Sequence, residues 1–210
     1  MTATQSKVER KLTTILAADA AGYASAMDAD EVGTLEALRA AREVFSRFIT
    51  RHNGRIANTA GDGLIAEFPS VVEAVQCAIE VQRELGINGG LRFRIGVHLG
   101  DVIVDGGDLL GEGVNLAARL QAMAEPGGVL VSQQVYDQVH TKLSVGFEYL
   151  GEKRPKHFSE DVPVYCVSFG DEASKHVFGR HAGKSRHEAK KAEPKRPQPE
   201  RAVAAGAAAG

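Results

Sequence analysis

The sequence predicts an α+β fold in which an antiparallel sheet carries helices packed on it. Apolar runs of strand length alternate with stretches of helical period, in the order β-α-β-β-α-β followed by further elements. The second and third strands of that order are joined by Gly61-Asp62-Gly63. This is a hairpin composition, because glycine accepts the positive φ that tight turns between antiparallel strands demand. Together these features describe a ferredoxin-like βαββαβ core.

Residues 11–18 read as a buried strand that ends on Asp19. Ala20-Ala21-Gly22-Tyr23-Ala24 follows, small residues around one glycine. Such a turn lets backbone N–H groups approach a phosphate closely, although an ordinary strand-to-helix loop has the same composition. Asp28 or Asp30 is placed to cap a helix over about 31–51. Leu35, Leu38, Ala41, Phe45, Phe48 and Ile49 fall on one face of it. Asn53-Gly54 ends that helix, and 55–68 form the hairpin. Ser70 caps a helix over about 71–85, which the stretch 86–90 breaks. Residues 91–105 make a long strand, with alternation at Leu91, Phe93, Ile95 and Val97. Gly96 and Gly100 mark a kink or the close approach of another backbone. Residues 105–113 read as a loop and 114–123 as a short helix, stopped by Glu125-Pro126-Gly127-Gly128. A strand at 129–132 leads into a helix at 133–139, with Ser132 as its candidate cap. The final strands lie at 145–150 and 162–167, joined by the basic segment 153–157.

The 210 residues, 43% of them hydrophobic, suffice for a domain with a real core plus a tail. From Asp171 to Gly210 there are nine Lys and Arg against five Asp and Glu, which leaves 16 against 22 in the first 170 residues. The fold is thus expected at 1–170 and is acidic. The basic, Ala/Pro/Lys-rich segment 171–210 is expected to be disordered. An acidic fold argues against a nucleic-acid partner, which selects a basic face. Cys77 and Cys166 are far apart and lack CxxC spacing, so neither a disulfide framework nor a zinc site is expected. No apolar run reaches membrane-spanning length and the N-terminus lacks an apolar signal core, which points to a cytoplasmic protein without a transmembrane segment.

Two carboxylates carry the chemistry. Asp19 ends one strand and Asp62 stands at the hairpin tip, so the two meet if those strands are neighbours. Two hard oxygen ligands at one spot suit Mg²⁺, which takes one or two carboxylates plus substrate phosphates. Asn115 and Arg119 are four apart and share a helix face, where an amide and a cation suit a sugar and a phosphate. An ordinary polar surface would look the same. His98 is read as a half-buried structural histidine, since no partner pair is evident, and Cys77 as a small core or boundary residue.

With these residues in view, the chain resembles the catalytic domain of class III adenylate and guanylate cyclases over roughly 8–169. The resemblance implies that Asp19 and Asp62, with Ala20 beside them, hold two Mg²⁺ (or Mn²⁺). It implies that Asn115 orients the ribose and Arg119 stabilises the transition state, both within Val114-Asn115-Leu116-Ala117-Ala118-Arg119. Asp108 resembles the purine-contacting position, Lys156 the triphosphate-binding lysine, and Gly22 and Tyr23 the phosphate-side turn. Asn58 stands where many adenylate cyclases carry a purine-selecting lysine. An amide can both donate and accept hydrogen bonds but lacks the charge and reach of lysine. His157 stands where relatives usually carry glycine. The implied reaction is ATP to 3′,5′-cyclic AMP and pyrophosphate, in a head-to-tail homodimer with two equivalent sites. Guanylate cyclase activity, or a regulatory domain of weak turnover, is the alternative that Asn58 motivates. A diguanylate cyclase shares the core, but its Gly-Gly-acidic-Glu-Phe signature is absent. A ferredoxin-like RNA-binding module would need the aromatic strand motif that this chain lacks.

Overall fold

Strand β1 (Glu9–Ala20) runs through the interior of the sheet, paired antiparallel with β3 (Gly63–Phe68) on one side and β4 (Phe93–Asp105) on the other. The structure, a computed structural model, describes residues 9–154 and 160–169. Lys156, His157 and the expected tail lie outside them.

The remaining elements are β2 (Arg55–Ala60), β5 (Asp108–Leu110), β6 (Val129–Ser132), β7 (Gly146–Lys153) and β8 (Val162–Ser168). The helices are α1 (Tyr23–Ala29), α2 (Glu31–Arg51), α3 (Val71–Asn88), α4 (Glu112–Met123) and α5 (Gln133–Val139). The sheet order is β2-β3-β1-β4-β6-β8-β7, with β5 paired to β4. The first four strands have the ferredoxin-like order that the βαββαβ reading requires. Beyond them β4 and β6 pair in parallel, and the other pairs are antiparallel. The fold class read from the sequence is the one observed.

Both faces of β1 are covered, which explains why 13–18 read as an unbroken buried run rather than an alternation. Leu16, Ala18 and Ala20 join Ile95, Val97 and the apolar stripes of α2, α3 and α5 in the main core. There Phe45 meets Phe93 edge to face, with centroids 5.0 Å apart. Such a pair contributes about 1 kcal/mol beyond its buried area. Ile15 and Ala17 point the other way, to Val102, Leu109 and Ala117 of α4. α4 lies directly on the β4 backbone because Gly96 has no side chain. A Cβ there would come within 2.3 Å of the Ala117 carbonyl oxygen and the Gln121 nitrogen.

The expected helix starts are borne out. Asp30 accepts a hydrogen bond from the Gly33 N–H at 3.0 Å, and Ser70 accepts one from Glu73 at 3.4 Å. Three local readings change. Residues 23–29 form a separate short helix ahead of α2. The expected loop at 105–113 contains β5, because Gly106 and Gly107, at φ 58° and 94°, turn the chain back onto β4. Ser132 precedes α5 but does not cap it with its side chain, which is bonded to His98 instead. Among the described residues no helix is long and apolar enough to cross a membrane.

Candidate active site

Asp19 shares the parity of Ile15 and Ala17 along β1, so its side chain emerges on the α4 face. Asp62 reaches the same place through the hairpin. Ala60 pairs with Gly63, leaving Gly61-Asp62 as a two-residue loop with Gly61 at φ 57°. The two carboxyl groups lie within hydrogen-bonding reach of each other. Burial raises the Asp19 pKa above the ordinary carboxylate value, the Asp62 charge raises it further, and Arg94 opposes both. Asp62 is half-buried against Asp19 rather than projecting freely from the tip. Gly63 leaves the space open, since a Cβ there would stand 3.5 Å from Asp19 Oδ1.

Two like charges held together are what a divalent cation relieves, so these residues fit the implied metal. Among the described residues no group of three or more His, Cys, Asp and Glu could hold a metal ion. The remaining ligands would be backbone, water or phosphate oxygens. The Ala20 methyl is buried in the main core, so only its carbonyl could contribute. Gly22, in the left-handed region at φ 72°, and Tyr23 sit where the chain turns from β1 into α1.

Two arginines at this end escaped the sequence reading. Arg94 pairs with Asp19 across β1 and β4, and its Nε is buried without a hydrogen-bond partner. Its alternation with Phe93 and Ile95 placed it on the face opposite the main core, but only the register put it beside Asp19. Arg42 of α2 donates to the Gly61 carbonyl and so braces the turn that carries Asp62. Nothing local in the sequence signals that contact.

Asn58 and Asp108 also meet. The Asn58 amide donates to both Asp108 carboxylate oxygens, at 3.0 and 2.9 Å, and the Leu109 N–H donates to Oδ1 at 3.0 Å. Strict alternation along β2 would turn Asn58 to the main-core face. A β-bulge between Ile56 and Asn58 shifts the register so that Asn58 opposes Ile65, which faces α4.

Asn115 and Arg119 stand one turn apart on α4, Asn115 exposed and Arg119 half-buried. Among the described residues neither has a side-chain hydrogen bond or ion pair, and neither is joined to Asp19 or Asp62. His98 is more buried than expected, at 6% exposure, and it has a partner. Its Nδ1 lies 2.9 Å from Ser132 Oγ beneath α4, and burial pushes its pKa down to about 4. That is the structural role read from the sequence. Cys77 and Cys166 are buried free thiols, pushed up to about 12 by burial, so they are inert at neutral pH. Lys156 lies outside the described residues.

A family model described as the adenylate and guanylate cyclase catalytic domain matches residues 7–156. A Rhizobium meliloti protein named "Putative adenylate cyclase 3" is 38% identical over 174 residues, which cover 79% of this chain and 30% of that protein. The chain thus spans less than a third of that curated relative. The crystal structure of an adenylate/guanylate cyclase/hydrolase from Silicibacter pomeroyi is 33% identical with a TM-score of 0.74, over 78% of this chain and all of the other. The adenylyl cyclase CyaB from P. aeruginosa shares the fold, with a TM-score of 0.71 at 21% identity over 79% of this chain and 98% of the other.

Proposed function

Because the chain belongs to the adenylate and guanylate cyclase catalytic domain family, we propose that it cyclises a purine nucleoside triphosphate, with ATP as the substrate. The observation that carries this reading is the meeting of Asp19 and Asp62 beside Arg94. In the reaction the ribose 3′-oxygen bonds to the α-phosphorus, the bond from that phosphorus to the β-phosphate's bridging oxygen breaks, and pyrophosphate leaves. The hydroxyl proton passes to water. When bound, divalent cations held by Asp19 and Asp62 would supply the acidity and charge neutralisation that this displacement needs.

The chain's own groups do the rest. Arg94, with its buried unpartnered Nε, offers a cation to the phosphates on the Asp19 side. Arg119 balances charge growing on the transferring phosphoryl group, and Asn115 orients the ribose for in-line attack. Neither is engaged by Asp19 or Asp62 of its own chain, which supports a site completed between two head-to-tail copies.

ATP is favoured by the name of the Rhizobium meliloti relative and by Asp108, whose carboxylate can accept from the adenine amino group. One observation favours GTP as a second reading. The Asn58 amide nitrogen directs one N–H at the Asp108 carboxylate, which sets Asn58 Oδ1 and the Asp108 oxygens side by side as acceptors. Guanine, with adjacent N1–H and N2–H donors, matches such an edge. The test is cyclic nucleotide formation by the purified protein from ATP and from GTP, with Mg²⁺ or Mn²⁺, beside Asp62→Ala and Arg119→Ala. Product formed by the wild type and lost in both variants is the expected result. No product from either nucleotide would leave a regulatory cyclase-homology domain.

A further inference from the structure

Asp108 opens β5, paired with Asp105, directly after a two-glycine turn. The turn joins β4 to the three-residue β5 through Gly106 and Gly107, both at positive φ. The two glycines carry no side chains, so only contacts to its backbone can tie this turn to strands beyond β4. The anchor comes from the far side of the sheet. Arg55, the first residue of β2, donates from Nη1 to the Gly107 carbonyl at 2.7 Å. Its Nε is bonded to Glu67 of β3, which is 7% exposed. Lys11 of β1 holds the same carboxylate, with Nζ 3.0 Å from Oε1 and 2.7 Å from Oε2. Burial alone would raise the Glu67 pKa, but the two cations outweigh it and hold it below the ordinary value. Arg55 is therefore one rigid fork with a branch on a buried anion and a branch on the turn. Three residues further on, Asn58 grips Asp108 itself.

We propose that Arg55 is a positioning residue for base selection: fixed by Glu67, it holds the Gly107 carbonyl and thereby sets where Asp108 stands opposite Asn58. The proposal rests on the reading of Asn58 and Asp108 as the purine contacts. Lys11 shares the Glu67 anchor but does not touch the turn, so it serves as the internal control. Lysine at position 55 can reach Glu67 or Gly107 but not both, so Arg55→Lys behaves as Arg55→Ala does.

The test compares wild type, Arg55→Ala, Arg55→Lys and Lys11→Ala in turnover of ATP and GTP and in thermal stability. Binding of 2′,3′-dideoxy-ATP and 2′,3′-dideoxy-GTP is measured beside it by calorimetry with Mg²⁺. These nucleotides lack the 3′-hydroxyl and cannot cyclise. Loss of a charge-assisted hydrogen bond predicts a KM for the preferred nucleotide about 10-fold higher in both Arg55 variants, with kcat within about 3-fold. The ATP-to-GTP ratio moves toward one by about 5-fold in kcat/KM and in dideoxynucleotide affinity. Lys11→Ala keeps the wild-type ratio even where it lowers the melting temperature as much. An unchanged ratio in Arg55→Ala overturns the proposal, as does an equal shift in Lys11→Ala or a wild type with no base preference. If the wild type binds the dideoxynucleotides selectively but makes no cyclic product, the cyclase reading falls. The clamp then stands or falls on the binding ratio alone.

Discussion

Asp19 and Asp62 meet within one chain and are braced on several sides, whereas Asn115 and Arg119 stand on α4 with no side-chain partner among the described residues. At the carboxylate end, Arg94 lies across the strand pair from Asp19 and Arg42 holds the Gly61 carbonyl. At the α4 end, the backbone is fixed by its approach to Gly96, while Asn115 is exposed and Arg119 half-buried. The carboxylate pair is assembled against electrostatic cost, whereas Asn115 and Arg119 have no side-chain counterpart among the described residues. A site divided in this way is what a head-to-tail pair would complete, since each copy offers both halves and joins neither to the other.

The sharpest way to break that comparison is to remove one group from each half. Asp62→Ala and Arg119→Ala are each expected to lower cyclic nucleotide formation by about 100- to 1,000-fold, as loss of one charge-stabilising group does. An equimolar mixture of the two inactive variants should recover about a quarter of wild-type activity, because half the dimers pair unlike copies and each of those has one intact site. Recovery of none would show that both halves act within one chain. The variants also differ in stability. Asp62→Asn removes a like charge beside Asp19, so the metal-free protein should melt no lower than wild type. The rise in melting temperature on adding Mg²⁺ should disappear. Arg119→Ala should keep that rise.

A pH titration of stability probes the platform beneath α4. His98 is held near 4 in the folded protein against an ordinary value of 6.5. The unfolded chain therefore binds the extra proton first, and stability falls as pH drops from about 6.5 to about 4, levelling off below. The full effect is on the order of 3 kcal/mol, and His98→Gln should flatten that part of the profile in chemical denaturation. A profile unchanged by the substitution would mean that His98 is not neutral and buried as described.

A smaller effect tests the brace on the carboxylate turn. Arg42→Ala should weaken Mg²⁺ binding by about 10-fold, followed by the metal-induced shift in melting temperature, while leaving the fold intact. If Arg42→Ala titrates with metal as wild type does, the turn holds Asp62 without help. Asn58→Lys is expected to shift the base preference toward ATP by a few-fold, since a cation there pairs Asp108 and can donate to the adenine ring. The ratio of kcat/KM for ATP and GTP reads it.

Much of this was legible along the chain, because it depends on neighbours in sequence. The α2 and α3 stripes, the Asp30 and Ser70 caps, and the Gly61-Asp62 loop are local. So is the pairing of Asn115 with Arg119, since residues four apart on a helix share a face whatever surrounds them. β5 was missed because three residues carry too little pattern to outweigh the glycines before them. The role of Ser132 was misread because its side chain had two possible partners, and the buried His98 offered the one that water could not replace.

The remainder depended on which strand lies beside which, and at what register. Alternation alone turned Asn58 away from Asp108, and the bulge at 56–58 turned it back. Arg94 became a neighbour of Asp19 only through the β1–β4 pairing. Arg42 and Arg55 reach 19 and 52 residues along the chain to hold the glycine turns at Gly61 and Gly107. By itself, then, the sequence determined the elements, their caps and the two carboxylates at their ends, because backbone propensity and side-chain period are local properties. Only the tertiary structure decided which charges face one another, because a long, flexible arginine carries no local mark of the carbonyl or carboxylate it will meet.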